Sequence, residues 1–309
     1  MYRYIIKRII MLIPIILGVT FFVFMIINLS PGDPTTAILG DNATQESINA
    51  LREELGLNDP LLLQYVRYIS NLVRGDLGTS YITQRSVFKE IASKFPYTLA
   101  LTTVGMIIAI FISIPAGIMS ATKQYSLADR LSMIGALLGM SIPNFWLGLM
   151  LILLFALHLR WLPSGGAESI KSIILPALSL GVGAAANITR MTRSSMLEVI
   201  RQDYIRTAKS KGIGRKAVIR KHALKNALIP VVTIIGLQFG SLLGGMVFCE
   251  TVFSWPGLGR LLVDAVRSKD TPQILGSIVV FAIGFSIINL LIDILYGYLD
   301  PRIKAQYKR

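Results

Sequence analysis

Long apolar stretches separated by shorter charged segments run along the whole chain. Six stretches of at least 18 residues contain no Asp, Glu, Lys or Arg. They cover residues 9–32, 96–122, 131–159, 172–189, 226–249 and 271–292. A transmembrane helix needs about 20 mainly apolar residues at about 1.5 Å of rise each, so every stretch can cross a bilayer, the fourth only just. The pattern predicts an all-α membrane protein with six transmembrane helices.

Composition supports this interpretation. Of the 309 residues, 53% are apolar and only 16% are charged, which excludes an ordinary soluble or disordered chain. The predicted organisation, from the N-terminus, is a cytoplasmic terminus (1–8), a first span (9–29), an extracytoplasmic segment (30–95), a second span (96–122), a third span (131–159), a fourth span (172–189), a cytoplasmic loop (190–225), a fifth span (226–249), an extracytoplasmic loop (250–270), a sixth span (271–295) and a cytoplasmic C-terminus (296–309).

The charge distribution predicts the orientation. The chain has 31 Lys and Arg against 17 Asp and Glu, for a net charge of +14. With six spans, both termini lie on one side, and that side holds 20 basic and 5 acidic residues against 11 and 12 on the other. Because basic loops remain in the cytoplasm, both termini are expected to be cytoplasmic. Topology thus explains the positive charge, and no nucleic-acid partner is needed.

The segment 30–95 has structure of its own. Its apolar residues recur at helical spacing, which predicts two short amphipathic helices on the extracytoplasmic face. These residues are Ile48, Leu51, Leu55, Leu61, Leu62, Tyr65, Val66, Ile69, Leu72 and Val73. Pro60 and the turn Gly75–Gly78 end the helical runs. A lid over the helix ends and a docking surface for a partner are equally compatible with this pattern.

The loop 190–225 is the most basic part of the chain. It has 11 Lys and Arg against Glu198 and Asp203. The spacing of Tyr204, Ala208 and Lys211 predicts a short helix ended by Gly212, with another beginning near residue 215. Such a helix suits a groove on a cytoplasmic partner. The alternative is a basic segment that binds anionic lipid headgroups.

Several chemistries are absent from the sequence. There is no P-loop motif, so the chain is not expected to bind ATP. One cysteine, Cys249, excludes an internal disulfide, and with only His158 and His222 no His/Cys metal cluster is expected. The glycine-rich run 181–186 lies inside an apolar stretch and indicates close helix packing rather than dinucleotide binding. Neither catalytic residues nor a bound cofactor or metal are predicted.

Small residues mark one face of the fifth span. Gly236, Gly240 and Gly244 form two overlapping G-x-x-x-G steps, which allow another helix to approach closely. Helix packing is therefore the preferred interpretation over a hinge.

A few polar side chains fall at the depth of the bilayer. Polar groups there are costly against lipid, so each should face a neighbouring helix or a hydrated path. Asn144 follows Pro143, where a broken helix would expose backbone carbonyls to a cavity. The candidate path residues are Asn144, Gln238, Ser241 and Asn289.

Short motifs along the whole chain carry a family resemblance. They are Pro31–Pro34, Gly75–Gly78, Thr189–Ser195, the loop Asp203–Gly212 with His222–Pro230, Phe253–Gly259 and Asp300–Pro301. In this order they resemble ABC importer permeases of the peptide/nickel family, in the B-type subunit, and the loop resembles their "EAA" segment. Arg206 and Thr207 stand where the general motif has Glu and Ala. The subfamily that the chain resembles shows a similar departure from the general motif.

The resemblance implies a type I ABC importer permease fold with a cytoplasmic coupling helix at about Val199–Gly212. The chain would be a non-catalytic subunit in a bacterial inner membrane. Its implied partners are a homologous second permease, two cytoplasmic ATPases that bind ATP and Mg, and an extracytoplasmic binding protein. The implied coupling residues are Asp203, Tyr204, Arg206, Thr207, Ala208, Lys209 and Gly212.

The substrate implied by the resemblance is a dipeptide or oligopeptide, with glutathione or a nickel chelate as alternatives. A passive channel or an ion-coupled carrier would also have six spans. Both are disfavoured, because no Asp, Glu, Lys or Arg lies near the middle of a span and no inverted repeat is obvious.

Overall fold

The computed structural model describes residues 2–29, 33–40 and 43–299. The α-helices in these ranges are α1 (Tyr2–Leu29), α2 (Pro34–Leu39), α3 (Gln45–Glu54), α4 (Leu61–Val73), α5 (Val87–Thr122), α6 (Leu127–Ser141), α7 (Asn144–Leu151), α8 (Ile174–Ile200), α9 (Asp203–Ser210), α10 (Arg215–Ala217), α11 (Leu224–Val252), α12 (Leu258–Arg267) and α13 (Thr271–Leu299). The described residues contain no β-strand, only an isolated bridge between Thr79 and Ser86. The predicted all-α fold is confirmed. The motif parts 31–32 and 300–301 and the rest of the C-terminus lie outside the described residues.

Three further helical turns continue these helices. A π-helical turn, Ile152–His158, extends α7, and a 3₁₀ turn, Ile170–Ile173, leads into α8. A second π-helical turn, Val218–Ala223, joins α10 to α11, so that Arg215–Val252 is one apolar helix of 38 residues.

Among the described residues, five helices are long and apolar enough to cross a membrane, and a bent pair is the candidate for a sixth crossing. The pair consists of Leu127–Ser141 and Asn144–His158, which meet at an angle of 103°. The third predicted span is therefore broken. Ile142 is extended, at φ −84° and ψ 123°, because the ring of Pro143 disfavours helical backbone in the preceding residue.

Some helices extend beyond the predicted spans into the charged residues that flank them. Helix α5 begins at Val87 instead of residue 96, and α8 continues to Ile200 instead of ending at residue 189. The predicted limits stopped at the nearest charged residue, Lys94 or Arg190. Long basic side chains are compatible with helix ends at a membrane surface, because their charged heads can reach water.

The chain divides into two compact units. The larger contains Leu99–Trp255 and the chain from Ile288 onward, and the smaller contains Tyr2–Thr98 and Pro256–Ile287. Helices α5 and α13 have residues in both units.

Helix α8 is the centre of the larger unit, where it packs against α6, α7 and α11. Its small residues allow this close approach. A Cβ atom on Gly181 would lie 2.8 Å from the Gly105 carbonyl oxygen, and one on Gly183 would lie 2.9 Å from Oδ1 of Asn144. The interpretation of the 181–186 run as a close-packing surface is thus confirmed.

The smaller unit contains the short amphipathic helices. Helices α3 and α4 match the predicted pair, and α2 and α12 were not predicted. The Tyr65 hydroxyl joins α4 to α1 by donating to the Leu17 carbonyl oxygen at 2.8 Å. Leu258 of α12 is buried in a cluster with Leu77, Val87 and Ile91. The loop predicted for 250–270 therefore contains a packed helix.

Candidate coupling segment and translocation path

Helix α9 has one buried face. Ile205 is fully buried and Ala208 is 6% exposed, whereas the other residues of this eight-residue helix are exposed. The two buried side chains join a cluster drawn from α5, α8 and the beginning of the fifth span. Its other members are Ala121, Met196, Val218, Ala223 and Ala227. The helix is therefore anchored to the larger unit by apolar packing, which stabilises more than its intrinsic helix propensity can.

Gly212 ends this part of the chain as predicted. It has φ +77°, a conformation that a side chain disfavours, and a Cβ atom there would meet no other atom within 4 Å. Its amide donates to the Lys209 carbonyl oxygen at 3.0 Å, and the Ile213 amide donates to the Ala208 carbonyl oxygen at 3.4 Å. These bonds satisfy carbonyl groups that the end of α9 leaves open.

The exposed face of α9 is polar. Asn226 donates to the Tyr204 hydroxyl at 2.8 Å, which fixes the tyrosine over the beginning of the fifth span. Arg206 lies 3.9 Å from Asp203, and both side chains are largely exposed, so this pair contributes little to stability. Thr207 and Lys209 are also exposed. This face is available to a partner, whereas Ala208 faces its own chain and can only hold the helix in position.

Two hydrogen bonds join the elements that surround α9. The Arg215 guanidinium donates to the Thr122 carbonyl oxygen at the end of α5, at 2.8 Å. The Ser195 hydroxyl of α8 donates to the Ala227 carbonyl oxygen of α11, also at 2.8 Å. Together with the apolar cluster, these bonds fix the position of α5, α8 and α11 around α9.

A buried ion pair that sequence reasoning missed lies beside this cluster. The Arg193 guanidinium donates two hydrogen bonds to Asp129, from Nε to Oδ1 at 2.7 Å and from Nη2 to Oδ2 at 3.0 Å. The Ser120 hydroxyl and the Tyr125 amide donate to the same carboxylate. The Asp129 side chain is only 6% exposed. The network joins α5, α6 and α8 at one point.

The candidate path residues all lie in the larger unit. Asn144 begins α7 directly after the break at Pro143, and its amide oxygen lies against Gly183 of α8. Asn144 and Gln238 are half-buried and Ser241 is exposed. None of these three side chains forms a hydrogen bond with another described residue. Asn289 on α13 is half-buried and already engaged in an interaction. A shared cavity between them remains a prediction.

The three glycines of the fifth span differ from one another. A Cβ atom on Gly236 would lie 2.6 Å from Cγ2 of Ile292, so this glycine permits close contact with α13 within the chain. Gly240 is buried. Gly244 is exposed, and a Cβ atom there would meet nothing within 4 Å. Gly236 therefore contacts α13 within the chain, whereas Gly244 faces open space.

The smaller unit has a polar cavity of about 370 Å³, lined in part by α3 and α4. Its arginines are already paired, Arg52 with Asp33 at 2.6 Å and Arg67 with Asp59 at 2.5 Å. Burial raises the pKa of the Tyr68 phenol, which also lines the cavity and stays neutral. The cavity can therefore offer hydrogen bonds but little net charge.

Two sequence families cover most of the chain. The family described as "Binding-protein-dependent transport system inner membrane component" matches residues 113–305. The corresponding N-terminal family of membrane components matches residues 1–102.

Curated relatives match over nearly the full length. The chain is 48% identical to the dipeptide transport system permease protein DppB of Alkalihalophilus pseudofirmus, over 98% of this chain and 100% of the relative. It is 47% identical to the glutathione transport system permease protein GsiC of Escherichia coli, over 98% of this chain and 99% of the relative.

Solved structures show the same fold. An inward-facing structure of the MetNI methionine ABC transporter matches with a TM-score of 0.59 and 22% identity, over 68% of this chain and 96% of that one. A crystal structure of an amino acid ABC transporter matches with a TM-score of 0.55 and 12% identity, over 68% and 94%. The predicted type I importer fold is thus confirmed. Sequence and fold together establish that the chain belongs to the family of binding-protein-dependent transport system inner membrane components, the permease subunits of ABC importers.

Proposed function

We propose that this chain and a homologous second permease together form the translocation path of an importer for short peptides. The observation that carries the proposal is the state of Asn144, Gln238 and Ser241, which are polar, at least partly exposed and without hydrogen bonds to the rest of the described chain. Polar groups at this depth need partners. A second subunit and a peptide with its amide groups would supply them.

The coupling residues would act through the exposed face of α9. In this proposal, Asp203, Tyr204, Arg206, Thr207 and Lys209 contact a cytoplasmic ATPase that binds ATP and Mg, and the chain itself binds neither. Ala208 and Gly212 would act indirectly, because the first anchors the helix and the second ends it. Anchoring by an apolar cluster supports this role, since a loosely held helix could not pass on a displacement.

The orientation follows from the charge distribution. With both termini and the α9 segment in the cytoplasm, the basic loops lie on the side where such loops are retained. The short helices α2, α3, α4 and α12 would then face the extracytoplasmic binding protein.

The nearly equal identity to a dipeptide permease and a glutathione permease supports a peptide as the substrate. The second relative makes glutathione the specific alternative. Uptake by the complete transporter, reconstituted with its binding protein, tests the choice. We expect labelled dipeptides to accumulate in an ATP-dependent manner. Accumulation of glutathione alone would select the alternative, and accumulation of a nickel chelate alone would overturn the peptide proposal.

A further inference from the structure

A second basic surface follows α9 along the chain. Besides Arg215, which donates to the Thr122 carbonyl oxygen, four Lys and Arg side chains lie between Gly214 and the beginning of the fifth apolar stretch and are exposed in the structure. We call them the basic row: Lys216, Arg220, Lys221 and Lys225. No acidic residue occurs between Asp203 and Glu250. Within the described residues, no member of the row forms an ion pair, so the row presents unneutralised charge.

The row is held rigidly in place. It lies on the continuous helix Arg215–Val252, whose opposite side is buried through Val218, Ala223 and Ala227. Lys216 and Arg220 are four residues apart, as are Lys221 and Lys225, so that each pair lies on one side in successive turns. The four charges are therefore presented together by packed backbone and not by a mobile tail.

The row also lies directly next to the apolar part of the fifth span. The apolar stretch begins at Asn226, one residue after Lys225. At about 1.5 Å of rise per helical residue, all four cations fall within about 15 Å of the point where this stretch begins. A headgroup layer is about 5–8 Å thick, so Lys221 and Lys225 fall within it or at its edge. Arg220 and Lys216 lie within about one Debye length of that layer, roughly 8 Å at physiological ionic strength. Helix α9 differs, since its exposed residues include Asp203 as well as Arg206 and Lys209.

We infer that the basic row is a binding site for anionic phospholipid headgroups. A cluster of four to eight Lys or Arg directly on the cytoplasmic side of a transmembrane helix attracts anionic lipid by electrostatics. Headgroup phosphates would neutralise the row and hold the beginning of the fifth span at the membrane surface. The beginning of the fifth span would then stay in place at the membrane surface when α9 is displaced. The inference rests on the proposed orientation of the chain and is independent of the substrate.

The competing occupant of the row is an acidic surface of the ATPase. The two possibilities differ in which component is lost when the charges are removed. A row variant, K216Q/R220Q/K221Q/K225Q, removes four charges from the proposed lipid site. A matched variant, R201Q/R206Q/K209Q/K211Q, removes four exposed charges from α9 and its flanks.

The test measures lipid retained by the complete transporter. The complex is reconstituted in nanodiscs of phosphatidylcholine and phosphatidylglycerol, released, and examined by native mass spectrometry for each retained lipid. We expect the row variant to lose its preference for phosphatidylglycerol by at least roughly tenfold, since each basic residue near a membrane surface contributes measurably. The matched variant should keep that preference, and the row variant should still copurify with the ATPases.

Two outcomes would overturn the inference. An equal preference for phosphatidylglycerol in both variants would show that no specific lipid site exists in the row. Loss of the ATPases from a row variant that keeps its phosphatidylglycerol would assign the row to the protein partner. If the fourfold variant is not recovered, single Gln substitutions should reduce lipid retention step by step, and K216R/K221R/K225R should retain it. Absence of such a graded loss would also contradict the inference. Lipid retention needs no transport, so an incorrect substrate would leave this result unaffected.

Discussion

Helix α9 with its cap at Gly212, here called the α9 segment, and the candidate path residues lie in the same unit. They differ in whether their side chains have partners within the chain. The buried side chains Ile205 and Ala208 pack in a closed apolar cluster, and hydrogen bonds from Arg215 and Ser195 fasten the surroundings. The path side chains Gln238 and Ser241 are not buried and have no hydrogen-bonding partner in the described chain. The buried side chains of α9 therefore find all their packing partners within this chain, whereas the polar side chains of the candidate path do not find hydrogen-bonding partners in the described chain.

This difference is what the proposed function requires, since α9 would have to be firmly anchored to receive a displacement from an ATPase and the path would have to leave polar groups open to a substrate. A displacement of α9 is passed on only if the helix cannot slide over the apolar cluster on which it packs. Close packing resists such sliding. A path must bind its cargo weakly enough to release it, so its polar groups cannot be saturated by internal hydrogen bonds. The predictions below challenge this contrast, beginning with the largest expected effect.

The substitution Ala208→Glu should abolish transport. It places a carboxylate in the apolar cluster with Met196 and Val218, where an unpaired charge costs several kcal/mol, so α9 should detach from its base. We expect the chain to insert in the membrane while substrate-stimulated ATPase activity and uptake are lost.

Ser210→Glu is the matched control, because it adds the same charge to an exposed position of the same helix. Resistance of the segment to limited proteolysis should decrease in the Ala208 variant and persist in the control. Wild-type uptake by the Ala208 variant would show that anchoring of α9 is not required.

The substitution Asp129→Asn should destabilise the chain by about 1.5–3 kcal/mol, the usual contribution of hydrogen bonds to charged groups, because Arg193 is 24% exposed and water can solvate its charge in part. Arg193 would lose its counter-charge beside the α9 cluster. Thermal unfolding of the detergent-solubilised protein measures the effect. The exposed pair of Asp203 and Arg206 provides the comparison, since Arg206→Gln should cost less than about 1 kcal/mol. Equal melting temperatures in the two variants would mean that the buried pair contributes no stability.

The α9 segment shows which features could be predicted from local sequence. Gly212 follows the helix as expected and has a positive φ. A glycine after a helical run is a local sequence signal, because glycine adopts positive φ readily. The orientation of Ala208 was not predictable in the same way. Its neighbours Ala121, Met196 and Val218 come from three other parts of the chain, and periodicity cannot say which of them meet. Asp129 and Arg193, separated by 64 residues, were missed for the same reason.

Two differences in the fold have more specific causes. Helix α12 was missed although Leu258, Leu261, Leu262 and Ala265 follow helical spacing, because the segment was treated only as a loop between spans. The third span was predicted as one uncharged stretch with a broken helix considered at Pro143, and the structure has a bend of 103° at that point. The absence of charged residues predicts apolar surroundings for a stretch, but it does not predict whether the helix there is straight or bent.

The Phe253–Gly259 motif illustrates the limit for substrate choice. Phe253 and Trp255 are buried, and a Cβ atom on Gly148 would lie 2.8 Å from the Phe253 ring. Gly165 lies so close to the Phe253 carbonyl that no side chain fits there. These contacts show that Phe253 and Trp255 are packing residues of this loop, so their presence in the motif does not identify a substrate.

The glycines of the fifth span should separate contacts inside the chain from contacts with a second subunit. Gly236→Ala should destabilise the chain by about 1–3 kcal/mol, because the new methyl group would collide with Ile292. Gly244→Ala should be neutral or slightly stabilising, since it meets open space and alanine favours a helix. Melting temperature measures both. Gly244→Leu should instead lower the yield of the permease pair, and an unchanged yield would show that this glycine faces lipid.

The smallest expected effect is a change in the accessibility of the path by a few fold. Single cysteines at Asn144 and Gln238 would be introduced after Cys249→Ser, a mild replacement because the buried thiol already lies 3.3 Å from the Ser179 hydroxyl. If both positions line a path shared with a second permease, their reaction with a membrane-impermeant thiol reagent should change between the ATP-bound and nucleotide-free transporter. A cysteine at Ala184 is the control, because that side chain is only 2% exposed and should stay unreactive. Protection of both test positions in every nucleotide state would mean that the second subunit buries them as packing contacts. The two regions would then no longer differ, because in the assembled transporter the side chains of Gln238 and Asn144 would be as buried as that of Ala208.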